Sequence, residues 1–569
     1  MNLLPDLLVQ RACQTPQALA YGFLQGDGEG VDALSCGALF EQAAALAALL
    51  QRRFDPQSRL LLVCQAQKQF VLAFYACMLA GMIAVPTALP RRQALAERLR
   101  VLIADADAQA ALTDADALLQ FAQTSDGAGL LCLDLRGLSS EMAGSTGATP
   151  LAASAAQWQR PDYEAAPVAF LQYTSGSTGK PKGVVVSHEN LRHNSALIQA
   201  AMGIGSSSAV LTALPMFHDM GLVGGLLQPM YSSCPGYWMT PAEFVQFPQR
   251  WLERIARLGI TTSGGPNFMY DLVARQVDPA ALAAIPGFDL GRWQVAFCGA
   301  EPIRAATVER FCERFAPLGF DAGAFYPCYG MAESTLFITG KRLGTPWRQR
   351  RSQGSSVVSC GVPSGDTEIR IVDPATSQPL PAPGVGEIWV RSGSVAGGYW
   401  RQAELSAQGF GASLADGSSE HWLRTGDLGY FWEGELFVTG RLKDLIIVNG
   451  KKHAPQDIEE AALDAHDALR EAGAAAFVAD GQTGEATAGL VLVCELKREW
   501  LRRSEQWPAV AGAVRAAVRQ AYALTVDDIV FLKPGALPRT SSGKVMRAQC
   551  RTSYLARTLE RAEAAVLQP

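Results

Sequence analysis

A chain of 569 residues exceeds what one hydrophobic core usually organises, so at least two domains are expected. With 49% apolar and 18% charged residues it belongs among globular rather than disordered proteins, and a net charge of −5 argues against a nucleic-acid binder. Its 12 cysteines are scattered, with neither a C-x-x-C pair nor a Cys/His cluster at zinc spacing, so reduced thiols and a cytoplasmic home are expected. The opening MNLLPDLLVQRACQTP lacks a basic stretch and carries Asp6 early, unlike a secretory signal, and no apolar run of about 18 residues is present to span a membrane. Ala- and Leu-rich helical segments at 38–52, 71–80 and 95–106 alternate with short apolar runs at 59–63 and 83–86, which predicts α/β layers with parallel strands. Residues 140–166, dominated by small and polar types and proline, read as a surface loop. Further strand-like runs at 168–171, 209–214, 294–297, 368–372 and 387–390 predict several sheets.

The texture changes near 440. GELFVTGRLKDLIIVNGKKHAPQDIE (434–459) reads as a hairpin-like pair of apolar runs, then a helix opened by Pro455 with Asp457 in its first turn. The expected division is an N-terminal domain, 1–441, and a small α+β domain, 442–569.

Seven segments carry chemistry. After the apolar run 168–171 comes YTSGSTGKPKGVVVSHENL (173–191), where Ser, Thr and Gly surround Lys180 and Lys182. Many backbone N–H groups, hydroxyls and two point charges make a cradle for a polyanion, yet the spacing is not that of a Walker P-loop. LPMFHDMGLVGGLLQPMY (214–231) sets His218 beside glycines and an apolar helix start, and SGGPNFMYDLV (263–273) supplies Asn267, Phe268 and Tyr270. From pattern alone, the first reads more readily as core with a structural His, and the second equally well as aromatic core. AFCGAEPI (296–303) and YPCYGMAEST (326–335) each end a strand in a glycine turn, where α/β folds bind nucleotides. RTGDLGY (424–430) places Asp427 in a turn where a carboxylate can accept two hydroxyls. Near the end, LPRTSSGKVMR (537–547) presents Lys544 from a polar turn.

Together, in this order, these segments resemble the adenylate-forming superfamily, and in several places its fatty acyl-AMP ligase branch. Ala332, where acyl-CoA ligases commonly carry Thr, is one such place. The resemblance implies a large multi-layer α/β domain with a small mobile α+β domain. It implies ATP and Mg²⁺ as cofactors, and a nucleotide site of Thr174, Ser175, Gly176, Ser177, Thr178, Gly179, Lys180, Gly299, Ala300, Glu301, Pro302, Tyr329, Gly330, Met331, Ala332, Asp427 and Arg441. Within it Tyr329 would pack adenine, Asp427 and Arg441 would hold the ribose side, Glu333 would hold the metal, and Thr178 would contribute phosphate and metal contacts. His218 would line the junction of acyl pocket and nucleotide, with Gly224, Gly225, Met230, Asn267, Phe268 and Tyr270 walling the acyl chain. Lys443 would be the hinge, and Lys544 the lysine that bridges carboxylate and α-phosphate.

The implied reaction activates a fatty acid as acyl-AMP with loss of pyrophosphate, then transfers the acyl group to the phosphopantetheine thiol of a carrier protein. No Gly-x-Asp-Ser carrier motif occurs, so the carrier is expected to be a separate protein. The branch carries an insertion after the Glu333 motif that disfavours CoA. The corresponding segment, 340–361, is short for it, which leaves CoA open as the acceptor. Lys341, Arg342, Arg348, Arg350 and Arg351 with Trp347 form a basic cluster there, read either as a solvated loop or as a contact for an acidic carrier.

Overall fold

The computed structural model describes residues 3–26, 30–88, 93–124, 127, 129–137, 155–175, 181–352, 355–415, 417, 419–448, 451–479, 489–539 and 544–562. The alternation of apolar runs and helices builds two sheets in the large domain. Strands Arg59–Val63, Ile83–Pro86 and Ala110–Thr113 pair in parallel, as expected, within a six-stranded sheet that ends in the antiparallel hairpin Val168–Ser175/Pro181–Ser187. A nine-stranded sheet holds Val210–Thr212, Thr262–Gly265, Val295–Cys298 and Phe325–Gly330, also parallel.

Helix Gln67–Ala80 shows how the layers join. Every residue from Phe70 to Ala80 is buried, because the helix is apolar on all sides and lies in a core shared by strands of both sheets. It stops at Gly81, whose φ of 72° gives the left-handed cap that glycine adopts without penalty. The loop expected at 140–166 falls partly outside the described residues; from 155 on it is anchored, with the Trp158 indole donating to Leu79 O at 2.7 Å.

A four-stranded antiparallel sheet follows, ending in the hairpin Leu423–Trp432/Glu435–Arg441. The apolar runs of 434–459 therefore do not pair with each other. The first completes this sheet, and the second, Ile446–Val448, pairs with Lys451–His453. From Ile446 the chain builds a core of its own around Ile458, Leu492, Leu496, Val510, Val514 and Val518. Its sheet contains Leu469–Ala479, an alanine-rich strand that local preference would make helical; burial between neighbouring elements decides otherwise. Pro455 opens the helix Pro455–Asp464 as expected. Among the described residues no helix is long and apolar enough to cross a membrane.

Candidate active site

One cleft of about 2170 Å³ lies between the large domain and the 446–562 unit, larger than a pocket for one small ligand, typically about 300–1,000 Å³. Its floor follows from two parallel strands that end side by side. Val295–Cys298 runs into the turn of Gly299, Ala300, Glu301 and Pro302, with Ala300 in the left-handed region at φ 69°. Phe325–Gly330 runs into Met331, Ala332 and Glu333. A Cβ on Gly330 would lie 1.7 Å from Leu336 O, so only glycine lets the chain fold back there.

Tyr329 and Asp427 meet across the cleft floor: the phenol donates to Asp427 Oδ2 at 2.8 Å. Hairpin register puts Asp427 opposite Arg441, whose Nε is 3.1 Å from Oδ1. Burial pushes the Asp427 carboxyl up from its ordinary value, while Arg441, the Tyr329 hydroxyl and Lys544 pull it down. Glu333 is likewise pushed up by burial, with Asp219 adding in the same direction and Arg441 and the Tyr399 hydroxyl opposing. Tyr399 donates to Glu333 Oε1 at 2.9 Å. Glu301 lines the cleft too, but its Oε1 accepts from Phe268 N at 2.7 Å and so caps the helix Asn267–Gln276.

The phosphate-loop motif is a hairpin whose ends are well placed. Thr174 pairs with Lys182, and both line the cleft. Ser175 ends the first strand, while Gly176, Ser177, Thr178, Gly179 and Lys180 lie outside the described residues. Lys182 Nζ sits 5.0 Å from the centre of the Tyr399 ring.

Lys544 comes from the small domain and lines this same cleft, close enough to act electrostatically on Asp427 and Glu301. Lys443 occupies the tight turn Leu442–Asp444 at the cleft's edge. Beside it Gly440 has φ 146°, and a Cβ there would press on the Gln456 amide at 2.7 Å. That amide crosses between the units to donate to Thr439 O at 2.7 Å.

The acyl-wall candidates divide. Gly224, Asn267 and Phe268 line the cleft, together with apolar Ile198, Met202, Ile204, Met220, Leu336 and Phe337. Gly225, Met230 and Tyr270 stand behind the wall. Gly225 is closed off by Thr212 and Trp238, Met230 is fully buried, and Tyr270 packs among Trp251, Trp293 and Phe311 with its hydroxyl on Phe297 O. Geometry explains the split at the two glycines: Met220–Leu227 is a π-helix, which redistributes the faces that sequence spacing predicts. Asp219 and Met220 form the wall beside His218, whose ring lies 4.7 Å from that of Phe217. Cys328 also lines the cleft, its thiol directed at Cys298 O, and Cys298 is buried.

The basic segment after the Glu333 turn is partly packed, with Arg342 and Arg351 exposed. Gln349–Ser352 and Ser355–Val358 form a hairpin. The Arg348 and Arg350 guanidiniums both lie over the Trp432 ring, and Arg348 pairs with Glu433. Lys341 is buried, donating to Gly323 O at 2.8 Å. The segment is stapled to the large domain, and its Ser356, Val357 and Val358 line the cleft.

Asp219, Tyr399 and Arg539 also reach the cleft without having been expected there from the motifs, and Lys182, expected as a point charge of the polyanion cradle, lines it as well. Arg539 sits inside the Lys544 motif and Asp219 next to His218, so both were within reach. Tyr399, in GGYW, carries no local signal.

Comparison with known proteins agrees with this geometry. The AMP-binding enzyme family matches residues 8–400, and a family described as Disco-interacting protein 2-like, AMP domain, matches residues 443–564. The chain is 38% identical over 588 residues to JamA of Moorena producens (strain JHB), a medium-chain-fatty-acid–acyl-carrier-protein ligase, covering 99% of this chain and 97% of that protein. A solved fatty acyl-adenylate ligase from L. pneumophila, in complex with acyl adenylate and pyrophosphate, is 34% identical with a TM-score of 0.73, covering 99% of this chain and 97% of the other. Another structure, from a study of fatty acyl-adenylate ligases of E. coli and L. pneumophila, is 30% identical with a TM-score of 0.84 and 98% coverage of both chains.

Proposed function

Because the chain belongs to the AMP-binding enzyme family, in its fatty acyl-AMP ligase branch, we propose that it activates a fatty acid with ATP and hands the acyl group to a separate acyl carrier protein. In the first step a carboxylate oxygen of the acid attacks the α-phosphorus, the bond to the β-phosphate oxygen breaks, and pyrophosphate leaves. In the second, the phosphopantetheine thiol, losing its proton, attacks the acyl carbon and AMP leaves.

One observation carries the reading: Lys544 of the small domain faces the same cleft as Glu333, Tyr329 and Asp427. The carboxylate and the α-phosphate repel each other, and a cation fixed between them offsets that repulsion as charge develops. Tyr329 would pack the adenine, and Asp427, already aligned by Arg441, would accept the ribose hydroxyls. Thr174, Lys182 and the loop 176–180, with Thr178, would receive the phosphates. Ile198, Met202, Ile204, Leu336 and Phe337 offer an apolar wall for a chain entering past Gly224. The boundary at 441/442 would then be the hinge, with Lys443 turning Lys544 away before the thiol arrives.

Residues present fit Mg²⁺. Glu333 is a half-buried carboxylate with one oxygen engaged by Tyr399, and desolvation raises its proton affinity. Among the described residues no group of three or more His, Cys, Asp or Glu could form a metal cage, as suits an ion held mainly by nucleotide phosphates. When bound, Mg²⁺ would neutralise phosphate charge. We place the enzyme in the cytoplasm, where 12 free cysteines persist.

The acceptor is tested by mass spectrometry after incubation with decanoate, ATP and Mg²⁺ and either a holo-carrier protein or CoA. Acylated carrier with little acyl-CoA is expected; efficient acyl-CoA formation with an inert carrier would replace this reading with the ligase that ends on CoA.

A further inference from the structure

Glu333 sits in a turn that pays a conformational penalty. Two residues on, Thr335 has φ 64° and ψ −59°, a conformation a β-branched residue adopts only under external constraint. The constraint comes from a glycine-rich strap, 393–400. Thr335 Oγ1 donates to Ser394 O at 2.7 Å, and Ala396 N donates to Glu333 O at 2.9 Å. The strap's other side is laced to the phosphate-loop strand: Gly397 N to Val185 O, Val185 N to Gly398 O and Trp400 N to Gly183 O. Asn190 ties it again through Gly393 O and Val395 O.

At the end of this strap stands Tyr399. Its hydroxyl meets Glu333 Oε1, its ring lies under the Lys182 ammonium, and Phe410 braces the ring edge-on at 5.1 Å. A glutamate's terminal torsion is broad and roughly two-fold, so a carboxylate without a fixed partner samples many orientations. A phenol anchored by backbone on both flanks removes that freedom at one oxygen of a carboxylate that lines the cleft.

We infer that Tyr399 is a positioning residue: it orients Glu333 for a divalent cation and couples that orientation to Lys182 of the phosphate-loop strand. The inference rests on the proposed function above, in which Glu333 serves the metal. Outer partners that orient a ligand commonly change metal affinity about 10–100-fold when removed.

The test uses the full chain and two readouts. Mn²⁺ is titrated into protein with the non-hydrolysable analogue AMPCPP and followed by electron paramagnetic resonance; pyrophosphate release with decanoate is measured across Mg²⁺ concentrations. Tyr399→Phe keeps the ring and removes only the hydroxyl. It is expected to weaken Mn²⁺ binding about tenfold and raise the half-saturating Mg²⁺ by a similar factor, with a smaller effect on kcat at saturating metal and none on the KM for decanoate. Thr335→Val, which cuts the strap's bond to the strained turn, is expected to shift Mn²⁺ affinity in the same direction. Unchanged Mn²⁺ affinity in both variants, or a lower kcat with unaltered metal dependence, overturns the inference. A wild-type chain that binds Mn²⁺ with AMPCPP yet releases no pyrophosphate with any fatty acid would sink the proposed function, while the resonance readout still judges Tyr399.

Discussion

The two walls of the cleft are built on different principles. On the large-domain side Tyr329, Asp427 and Arg441 interlock, Tyr399 holds Glu333, and Thr425 bonds both Ile388 O and the Asp427 backbone N–H. On the small-domain side, ion pairs that bridge the units are exposed: Arg275 with Glu471, and Arg304 with Glu460 at 3.9 Å. Exposed pairs of this kind contribute about 0–1 kcal/mol each. A network anchored on the buried Tyr329 and Asp427 survives a change of partner, whereas weak surface pairs can be made and broken each turnover. In the proposed mechanism the wall that recognises stays fixed and the wall that delivers Lys544 leaves.

The largest effect should follow from emptying the delivering wall. Lys544→Ala should slow acyl-AMP formation by about 10²–10³-fold and largely spare transfer from preformed acyl-AMP to the carrier thiol, as separate half-reaction assays would show. An equal loss in both would mean that Lys544 never swings away.

Next comes the fixed wall. Asp427→Asn keeps the shape but loses the charge that holds Arg441 and, in the proposed function, accepts two hydroxyls. Hydrogen bonds to charged groups are worth about 1.5–3 kcal/mol, so the KM for ATP should rise about tenfold to a hundredfold. The same residue sets a pH dependence. Burial raises its proton affinity, and it must be ionised to accept. ATP binding should therefore weaken as pH falls through a value above the ordinary Asp range of about 3.9, and Asp427→Asn should abolish that limb. An unchanged acid limb in the variant would assign it elsewhere.

The smallest effect sharpens the contrast. Arg275→Ala removes one exposed bridge and should change the adenylation rate about twofold, in line with a surface pair, without slowing transfer. A tenfold loss would show that the small domain is locked, not resting, in this position.

How much of this could be read from sequence depends on the distance over which each signal acts. Tyr329 and Glu333 are legible because one strand and the turn after it hold both; Asp427 and Arg441 are legible from their motifs, but not the hairpin register that joins them, in which Asp427 lies in a strand and not in the expected turn. Layered α/β architecture is legible from the alternation of apolar runs. The pairing of the 434–459 runs is not, since two neighbouring strands in sequence belong to different sheets. Nor is the division between Gly224 and Gly225, which a π-helix decides. Tyr399 reaches Glu333 from 66 residues away, through a strap whose glycines say only that the backbone comes close. The stacking of Arg348 and Arg350 on Trp432 is hidden for a related reason: Trp432 lies far along the chain.

The most direct test is pyrophosphate release from ATP and Mg²⁺ across a panel of fatty acids, with the adenylate identified by its mass. The account predicts release that depends on the acid and an acyl-AMP of matching mass. ATP bound but left intact in the presence of every acid would contradict it.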